Sequence, residues 1–319
     1  MKKDLNILNA TDYMIETFQH YNIIGLGEGL HGLENSHRFF QMLFDNKKIQ
    51  SLINFIIVEF ANTDYQDIID KFIFGENVEI QDIRKIWRES TQCIGSFGEA
   101  PVYLNLLKKI RNINLTLPND KKIRVLGGDP SIDWNTIHNL DDYRKKIELR
   151  KIFPAHLAMK YGVLGNQKVL FIYSGLHLTK ISDETSPETH WSITTHINKK
   201  YPGAMKVIEI LNTKELHLQK ETENWPLYSI IDVQENFSGE LPAEKLFPEM
   251  YNDKGKVILY RGYKIKDLFD ALLYVGPTKK WKISEIPNNI FSDEKFLIEL
   301  NRRREILGLK PVKNIDPAN

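Results

Sequence analysis

The apolar residues of this chain fall into short continuous runs that alternate with stretches of helical spacing. Runs rich in Ile or Val predict buried strands in the first half of the chain, at residues 23–27, 53–58, 122–127 and 168–173. Between these runs the apolar residues recur at helical spacing, which is typical of helices that cover a sheet. The alternation predicts an α/β fold with a mainly parallel central sheet and helices on both of its faces.

Prolines and the spacing of apolar side chains indicate where the helices of the first half lie. We predict helices over residues 64–90, 101–113 and 139–153, the last ending near Pro154 because proline disrupts a helix interior. Pro101 suits the first position of its helix, where a backbone N–H is not needed. These helices supply the connections between the predicted parallel strands.

The second half of the chain gives a weaker pattern. Strands are predicted at residues 205–210, 257–260 and 271–275. Residues 212–256 carry mixed signals, and a final helix is expected to begin near Ser292. We expect residues 1–319 to form a single α/β domain with a C-terminal helical extension over about residues 280–319.

The charges of the chain nearly cancel, since it has 43 Lys and Arg residues and 42 Asp and Glu residues. This balance leaves no strong field to hold a nucleic-acid backbone or an anionic membrane surface, and no apolar run is long enough to span a membrane. The run Arg302-Arg303-Arg304 is interpreted as a solvated helix face rather than a binding patch. We therefore expect neither a nucleic acid nor a membrane as partner.

Cysteine usage and the N-terminal segment bear on the cellular compartment. Cys93 is the single cysteine, which excludes an internal disulfide and a cysteine zinc site. Asp4, Asn6 and Asn9 interrupt the apolar core that a signal peptide would need. These features favour a cytoplasmic location, and Cys93 is expected to be an ordinary buried thiol.

Ionisable side chains come at the ends of four predicted strands. Glu28 follows IIGLG, Glu59 follows FIIV, Asp129 follows RVLGG, and His177 lies just after VLFIYSG. In an open parallel sheet, ligands bind in the crevice outside the carboxyl ends of the strands. We expect these side chains to share one site, because ionised carboxylates gathered in such a crevice need partners.

Each of these residues taken alone also allows a structural role. Glu28 or Glu59 could cap a following helix, and Asp129 before Pro130 could close a turn. His177 could be a hydrogen-bonded histidine of the core. Their coincidence at strand ends favours a shared site over separate structural roles.

His31 is the best-placed general base in the sequence. It lies three residues after Glu28 in the segment GEGLHGLENSH, near the start of a predicted helix. An unperturbed pKa of about 6.5 lets histidine transfer protons at neutral pH, and a carboxylate such as Glu28 or Glu59 can fix its tautomer. Glu34 and His37 follow on the same helix and are weaker candidates for the site.

Several common catalytic motifs are missing from the sequence. There is no G-x-S-x-G elbow for a serine nucleophile, no G-x-x-x-x-G-K-[ST] loop, and no G-x-G-x-x-G segment after a strand. The sequence therefore gives no support for the usual serine hydrolase elbow or for the common phosphate- and dinucleotide-binding loops.

The segment GLGEGLHGLENSHRFFQML resembles the opening motif of the erythromycin esterase family, in which a strand ends in a Gly-Glu-x-x-His-Gly turn. Similar pieces follow in the same order: IIVEFAN, PVYLNLLKKIRNIN, RVLGGDP, VLFIYSGLHL, SITTHINKKYP and DLFDALLYV. The resemblance covers about residues 20–280 and implies the α/β core that this family shares with ChaN-like proteins.

This resemblance implies metal-independent hydrolysis of a small-molecule ester or lactone, with no cofactor. It implies that His31 acts as general base on a water molecule. Glu28, Glu59 and His177 would orient the water and the ester. Further substrate contacts are expected from Asp129, Glu34 and His37.

Two departures from the family pattern bear on activity. The family's His-Asn-x-His segment reads Ser174-Gly175-Leu176-His177 here, so only the second histidine is kept. Members that open macrolide rings carry a long helical insertion between the Gly-x-Asp strand and the histidine strand, whereas Asp129 and His177 lie 48 residues apart. The shorter connection predicts a more open pocket, and Ser174 leaves open that the fold is kept without the chemistry.

Two related groups of proteins supply a different hypothesis. The predicted core is similar to ChaN-like haem-binding proteins and to Tiki-type metal-dependent proteases, whose opening turns also place a Glu or His after the first strand. A metal would need three or more ligands, and His31, Glu59, Asp129 and His177 could supply them. The alternative is therefore a haem- or metal-binding protein or a metal-dependent hydrolase.

Overall fold

The computed structural model describes residues 7–92, 97–181, 191–214, 217–234, 236–246, 250–252, 255–257 and 260–312. Within these residues the chain forms a mixed α/β fold around an eight-stranded sheet, which confirms the predicted fold class. The strands are β1 (Leu8–Asn9), β2 (Ile23–Gly27), β3 (Phe55–Asn62), β4 (Arg124–Asp129), β5 (Val169–Tyr173), β6 (Met205–Ile210), β7 (Ser229–Asp232), β8 (Met250–Asn252), β9 (Gly255–Val257) and β10 (Ala271–Tyr274). The helices are α1 (Ala10–His20), α2 (Glu34–Asp45), α3 (Lys47–Leu52), α4 (Gln66–Phe74), α5 (Ile80–Arg88), α6 (Pro101–Asn114), α7 (Leu140–Ile147), α8 (Leu149–Ala158), α9 (Gly175–Leu178), α10 (Ile193–Lys200), α11 (Ile265–Leu268) and α12 (Glu294–Ile306).

The order of strands across the main sheet is β1-β7-β10-β6-β2-β5-β3-β4. The strands from β10 to β4 run parallel to one another, whereas β7 and β1 add an antiparallel edge. Because β5 returns between β2 and β3 while β6 lies on the other side of β2, the connections change direction at β2. Ligands bind outside the carboxyl ends of strands at such a switch point, so a site is expected at this edge.

The apolar side chains of the central strands divide between the two faces of the sheet. Ile24 of β2 packs in the cluster that contains Phe40 of α2, whereas Ile23 packs in the cluster with Ala155 of α8 and Ile193 of α10. Burying one such large apolar side chain contributes about 1.5–3 kcal/mol. Helices therefore cover both faces, as the continuous apolar strands predicted. Among the described residues, no helix has the length and apolar character of a membrane span.

The strand β3 is longer than predicted and contains a candidate site residue. The strand predicted at 53–58 continues to Asn62, and its pairing with β4 shifts register between Val58 and Asn62. Glu59 therefore lies inside the strand rather than after it. Such an irregularity re-aims side chains at the end of a strand. β4 likewise ends later than predicted, at Asp129.

Two predicted helices differ from the observed ones. The pattern at 64–90 contains two helices, because Gly75 ends α4 in the left-handed conformation with a φ of 108°. The prediction that the helix at 139–153 ends near Pro154 is wrong, since α8 continues through Pro154 to Ala158. Pro154 and Ala158 are both buried, so packing outweighs the roughly 3 kcal/mol that an interior proline costs.

The structure contains strands that the hydrophobic pattern did not predict. β7 comes from the weakly patterned residues 212–256 and pairs with β10, and the short β1 pairs with β7. The strand predicted at 257–260 is not part of the main sheet, because Val257 ends β9, which pairs with β8 in a separate hairpin. Tyr260 lies in a turn, and residues 258–259 lie outside the described residues. Short edge strands carry too few side chains to set a clear period.

The predicted final helix is present as α12, and a buried arginine holds it to α5. Arg303 is 3% exposed and donates to the Arg88 backbone oxygen at 2.6 Å. It also forms an ion pair with Glu89 at 2.6 Å. The interpretation of Arg302-Arg303-Arg304 as a solvated face is therefore corrected at Arg303, whose side chain packs inward.

Arg303→Ala is expected to lower the free energy of unfolding by about 3 kcal/mol, because Glu89 and the Arg88 carbonyl would lose a buried cationic partner. Urea unfolding followed by circular dichroism measures this change. Lys295→Ala, at an exposed position of the same helix, is the matched control and should change stability by less than about 0.5 kcal/mol. Equal, small effects of the two substitutions would show that Arg303 does not hold α12 in place.

Candidate active site

The carboxyl ends of the central strands bring predicted site residues together. Glu28 follows β2 directly, and its backbone N–H donates to the Tyr173 carbonyl oxygen at the end of β5, at 2.9 Å. Glu59 lies in β3, and His177 lies in the short helix α9 after β5. Since β2, β5 and β3 are neighbours in the sheet, these side chains meet in one crevice although 149 residues separate Glu28 from His177.

A turn between β2 and α2 presents His31 to Glu28. Gly29 and Gly32 take φ values of 72° and 73°, a left-handed conformation that residues with a Cβ rarely adopt. The turn brings Nδ1 of His31 into a short hydrogen bond with Oε1 of Glu28. The Ser36 hydroxyl on α2 donates to the Glu28 backbone oxygen at 2.8 Å, which fixes the turn to the helix.

Glu28 is a buried carboxylate with several hydrogen-bond donors. Nε2 of His37 lies 3.3 Å from its Oε2, and the Tyr103 hydroxyl lies 3.4 Å from both of its oxygens. The Tyr103 oxygen accepts in turn from the Gly32 N–H at 2.9 Å. Burial works to raise the pKa of Glu28, but the hydrogen bonds with His31 and His37 outweigh it and hold the pKa below its ordinary value. Glu28 is therefore ionised at neutral pH.

His31 is the exposed partner of this pair. Its side chain is 40% exposed, and its ring stacks on Phe97 with the ring centroids 4.5 Å apart. Burial works to lower the pKa of His31, but the hydrogen bond and charge of Glu28, with a smaller effect of Glu59, raise it to about 9. Because Nδ1 faces Glu28, Nε2 is the ring nitrogen left to exchange protons with a bound molecule.

Glu59 is the centre of a second group of contacts. Its Oε2 accepts a hydrogen bond from the Ser174 backbone N–H at 2.6 Å. Its Oε1 lies 3.3 Å from Nη2 of Arg150 and 3.2 Å from Nε2 of His177. Burial works to raise the pKa of Glu59, but the contacts with His177, His31 and Arg150 lower it well below its ordinary value. Glu59 therefore stays ionised.

His177 is held in a single tautomer by Glu59. Burial lowers the pKa of His177, so its ring is neutral at neutral pH. Its Nε2 faces the ionised Glu59 and carries the hydrogen, which leaves Nδ1 as an acceptor. In the part of the chain that the structure describes, this buried Nδ1 has no hydrogen-bond partner.

Asp129 lies behind these groups and is fully enclosed. It accepts hydrogen bonds from the Thr91 hydroxyl and, at 2.7 Å, from the Thr91 backbone N–H. Burial raises the pKa of Asp129 to about 7 against the opposing effects of Arg150 and Thr91. Nε of Arg150 lies 3.9 Å from Asp129, so this arginine of α8 links Asp129 to Glu59.

A cavity of about 620 Å³ opens beside His31. Its wall includes His31, Ser174, Leu176, Glu209 and Trp281, which come from the ends of the central strands and from the segment after β10. Its volume falls within the range of small-molecule sites. Ionisable and apolar side chains thus line one cavity at the switch point of the sheet.

The structure gathers four of the predicted residues into one group. Glu28, His31 and Glu59 each offer one ligand atom, and these atoms lie within 4.8 Å of one another. His177 joins them through Glu59. These are the residues that were predicted as catalytic.

The residues predicted to contact the substrate lie outside the cavity wall. Asp129 is enclosed behind Glu59, and His37 is 3% exposed and contacts Glu28. Glu34 pairs with Arg38 at 2.9 Å and lines a separate groove between α2 and α6. Contact of these residues with a substrate stays a prediction, and the geometry gives His37 and Asp129 contacts that support the site.

Three residues of this region were not predicted from the sequence. Tyr103 and Arg150 lie in helices whose patterns do not distinguish them from their neighbours. Glu209 lies near the carboxyl end of the strand MKVIEI. The argument that ionisable residues at the ends of parallel strands share one site, which selected Glu28, applies to Glu209 as well. Cys93, predicted as a buried thiol, lies outside the described residues.

Comparison with known proteins finds similarity in structure rather than in sequence. No family model and no curated protein matches the chain. A succinoglycan biosynthesis protein superposes with a TM-score of 0.55 at 11% identity, covering 83% of this chain and 90% of the other. A protein from Bacillus cereus superposes with a TM-score of 0.53 at 11% identity, covering 86% and 92% of the two chains. An erythromycin esterase in its open conformation has a TM-score of 0.48 at 11% identity, covering 82% and 92%.

The first two similarities extend over most of both chains and support the α/β fold. At 11% identity they concern the fold and not the activity. The function therefore has to be argued from the side chains of the site.

Proposed function

We propose that this protein is a hydrolase that cleaves an ester or lactone bond of a small molecule, with His31 as general base on water and without a metal ion. The observation that carries the proposal is the pairing of partly exposed His31 with buried, ionised Glu28 at the wall of the cavity. An imidazole whose one ring nitrogen is hydrogen-bonded to a carboxylate is a common arrangement for proton transfer at the other ring nitrogen. The short segments that resemble motifs of the erythromycin esterase family, two of which contain Glu59 and His177, favour the same reaction.

The proposed reaction proceeds by direct attack of water. Nε2 of neutral His31 takes a proton from water as the water oxygen bonds to the ester carbonyl carbon. Glu28 accepts the hydrogen bond from Nδ1–H and stabilises the imidazolium that forms. When the tetrahedral intermediate collapses, the bond to the leaving oxygen breaks and this oxygen takes up a proton. Ester and water thereby become acid and alcohol.

Glu59 and His177 are positioning residues in this proposal. The negative charge of Glu59 helps to raise the pKa of His31, and the Glu59 carboxylate fixes the tautomer of His177. Arg150 balances the charge of Glu59, so two ionised glutamates can lie close together in the crevice.

The raised pKa of His31 predicts how activity depends on pH. With a pKa of about 9, about one molecule in a hundred carries neutral His31 at pH 7. General-base catalysis needs the neutral form, so on an ester whose leaving group needs no proton, kcat/KM should rise from neutral pH toward about pH 9.

A second candidate is a metal-dependent hydrolase, because Glu28, His31 and Glu59 place three ligand atoms within 4.8 Å of one another. The present contacts of these side chains fit a cation poorly. Nδ1 of His31 is hydrogen-bonded to Glu28. The Glu59 carboxylate accepts hydrogen bonds from the Ser174 backbone N–H and from the Arg150 guanidinium. A metal would have to replace these contacts, and the metal-independent reaction is therefore preferred.

Hydrolysis assays separate the two candidates. A panel of alkyl esters and lactones is offered to protein stripped of metal by a chelator, with Zn²⁺ or Mg²⁺ added back in parallel. The proposal predicts turnover that neither the chelator nor the added ions change. Turnover that requires one of these ions would support the metal-dependent reaction, and a lack of turnover on every ester and lactone would contradict a hydrolase of this class.

A further inference from the structure

Glu209 is a buried acid that the reaction described above leaves unused. It lies near the end of β6, which pairs with β2, and it lines the same cavity as His31. Glu209 is only 5% exposed. Burying a carboxyl group costs free energy unless the group is paired. The position of Glu209 at the cavity wall therefore favours a functional role over a purely structural one.

Two glycines make room for the carboxyl group of Glu209. A Cβ at Gly27, the last residue of β2, would lie 2.6 Å from both carboxyl oxygens. A Cβ at Gly175, the first residue of α9, would lie 1.3 Å from Oε2. A larger residue at either position would displace the group, so β2 and α9 form a slot that fits this side chain.

The two oxygens of Glu209 differ in their surroundings. Oε1 accepts a hydrogen bond from the Ile210 backbone N–H at 2.8 Å. Oε2 is buried and has no hydrogen-bond partner of standard geometry among the described residues, although the Gly29 backbone N–H lies close enough to favour the ionised form of the carboxyl. Glu209 lines the cavity, and its covered Oε2 reaches a bound molecule when the carboxyl group turns toward that cavity.

Glu209 keeps its proton at neutral pH. Burial raises the pKa of Glu209 to about 8 against the effect of the Ile210 and Gly29 backbone N–H groups, and the charge of Glu28, the residue after β2, adds to the rise. The other titratable side chains of the surrounding elements are His31 and Lys214 at the cavity wall and His177 on α9. In its protonated form the Glu209 carboxyl can donate a hydrogen bond into the cavity.

We propose that Glu209 is the general acid of the hydrolysis and delivers its carboxyl proton to the leaving oxygen of the ester or lactone. This assignment rests on the proposed function. When the tetrahedral intermediate collapses, the carbon–oxygen bond to the leaving group breaks, and the leaving oxygen takes the proton from Glu209. Glu209 becomes a carboxylate. The imidazolium of His31 then releases the proton that it took from water, and Glu209 takes up a proton from solvent. Both groups are thereby restored.

Leaving groups that differ in their need for a proton provide the test. An alkoxide is too basic to leave unprotonated, whereas a nitrophenolate leaves without a proton. Glu209→Gln is expected to lower kcat/KM about 30-fold for an alkyl ester and less than about threefold for the nitrophenyl ester of the same acid. Glu223→Gln, at an exposed position, is the matched control and should change neither value.

The outcomes distinguish this assignment from the proposed function. Equal losses on both esters, or full activity of Glu209→Gln on the alkyl ester while His31→Ala is inactive, would overturn the role of Glu209 alone. Wild-type protein that cleaves neither ester would overturn the proposed function and the role of Glu209 with it.

The wild-type protein offers a second test that does not depend on the folding of a variant. Glu209 loses its proton above a pH of about 8, and the alkyl ester needs that proton more than the nitrophenyl ester does. The ratio of the two kcat/KM values should therefore fall about tenfold per pH unit above this point. A ratio that stays constant up to about pH 10 would overturn the assignment.

Discussion

His31→Ala is expected to lower kcat/KM for ester hydrolysis about 1,000-fold at a pH of about 9, where about half of the wild-type His31 is in the base form. The substitution removes the imidazole that takes a proton from water. It also leaves the buried, ionised Glu28 without its short hydrogen bond. Initial rates on the most reactive alkyl ester of the panel measure the effect.

A second histidine provides the control for this substitution. His156 is exposed on α8, and His156→Ala should keep wild-type activity. Free imidazole added to His31→Ala is expected to restore part of the rate, because it can enter the space beside Glu28 and act as the base. Activity of His31→Ala within about twofold of wild type would show that another group removes the proton.

Glu28→Gln is expected to lower the pKa of His31 from about 9 toward its ordinary value of about 6.5. The direction follows from charge, because an ionised Glu28 favours the imidazolium and a neutral glutamine does not. We expect kcat/KM to fall about 100-fold at a pH of about 9, since the imidazolium formed in the reaction loses its partner. The deficit should narrow at pH 7, where the variant keeps more His31 in the base form than the wild type does.

Titration of the His31 ring protons by NMR measures this pKa without reference to activity. Glu16→Gln, at an exposed position of α1, is the control and should leave the pKa of His31 unchanged. An unchanged pKa in Glu28→Gln would contradict the pairing of the two side chains. A lowered pKa with full activity would show that the pair exists but is not used in the reaction.

The location of the site could be predicted from the sequence because parallel strands end at a common edge. Glu28 and His177 follow strands whose continuous apolar runs set their ends closely, so the strand-end rule placed both residues correctly. His31 could be linked to Glu28 because a short turn with glycines on either side keeps the two residues together.

The details of the site could not be predicted, because packing decides them. Glu59 was placed after its strand, but the shift of register in β3 keeps it inside. Arg150 lies within a predicted helix, but its contacts with Glu59 and Asp129 depend on the packing of α8 against β4. The slot that holds Glu209 depends on contacts between β2, β6 and α9, which no local pattern reports.

In the fold, too, local sequence pattern predicts some elements, whereas tertiary packing determines others. The central strands β2, β5 and β6 were predicted to within a residue at each end, because strands buried on both faces are continuous in apolar residues. The edge strands β1 and β7 were not predicted, since β1 has two residues and β7 four. β7 is placed by its pairing with β10, and β1 by its pairing with β7, rather than by their own patterns.

The most direct test of the metal-independent reaction is to measure alkyl ester hydrolysis by metal-stripped wild type and metal-stripped His31→Ala side by side, at a pH of about 9. The wild type is expected to keep its turnover after metal removal, and the variant is expected to lose it. Equal rates for the two proteins, or wild-type turnover that returns only when a metal ion is added, would contradict a reaction in which His31 activates water without a metal.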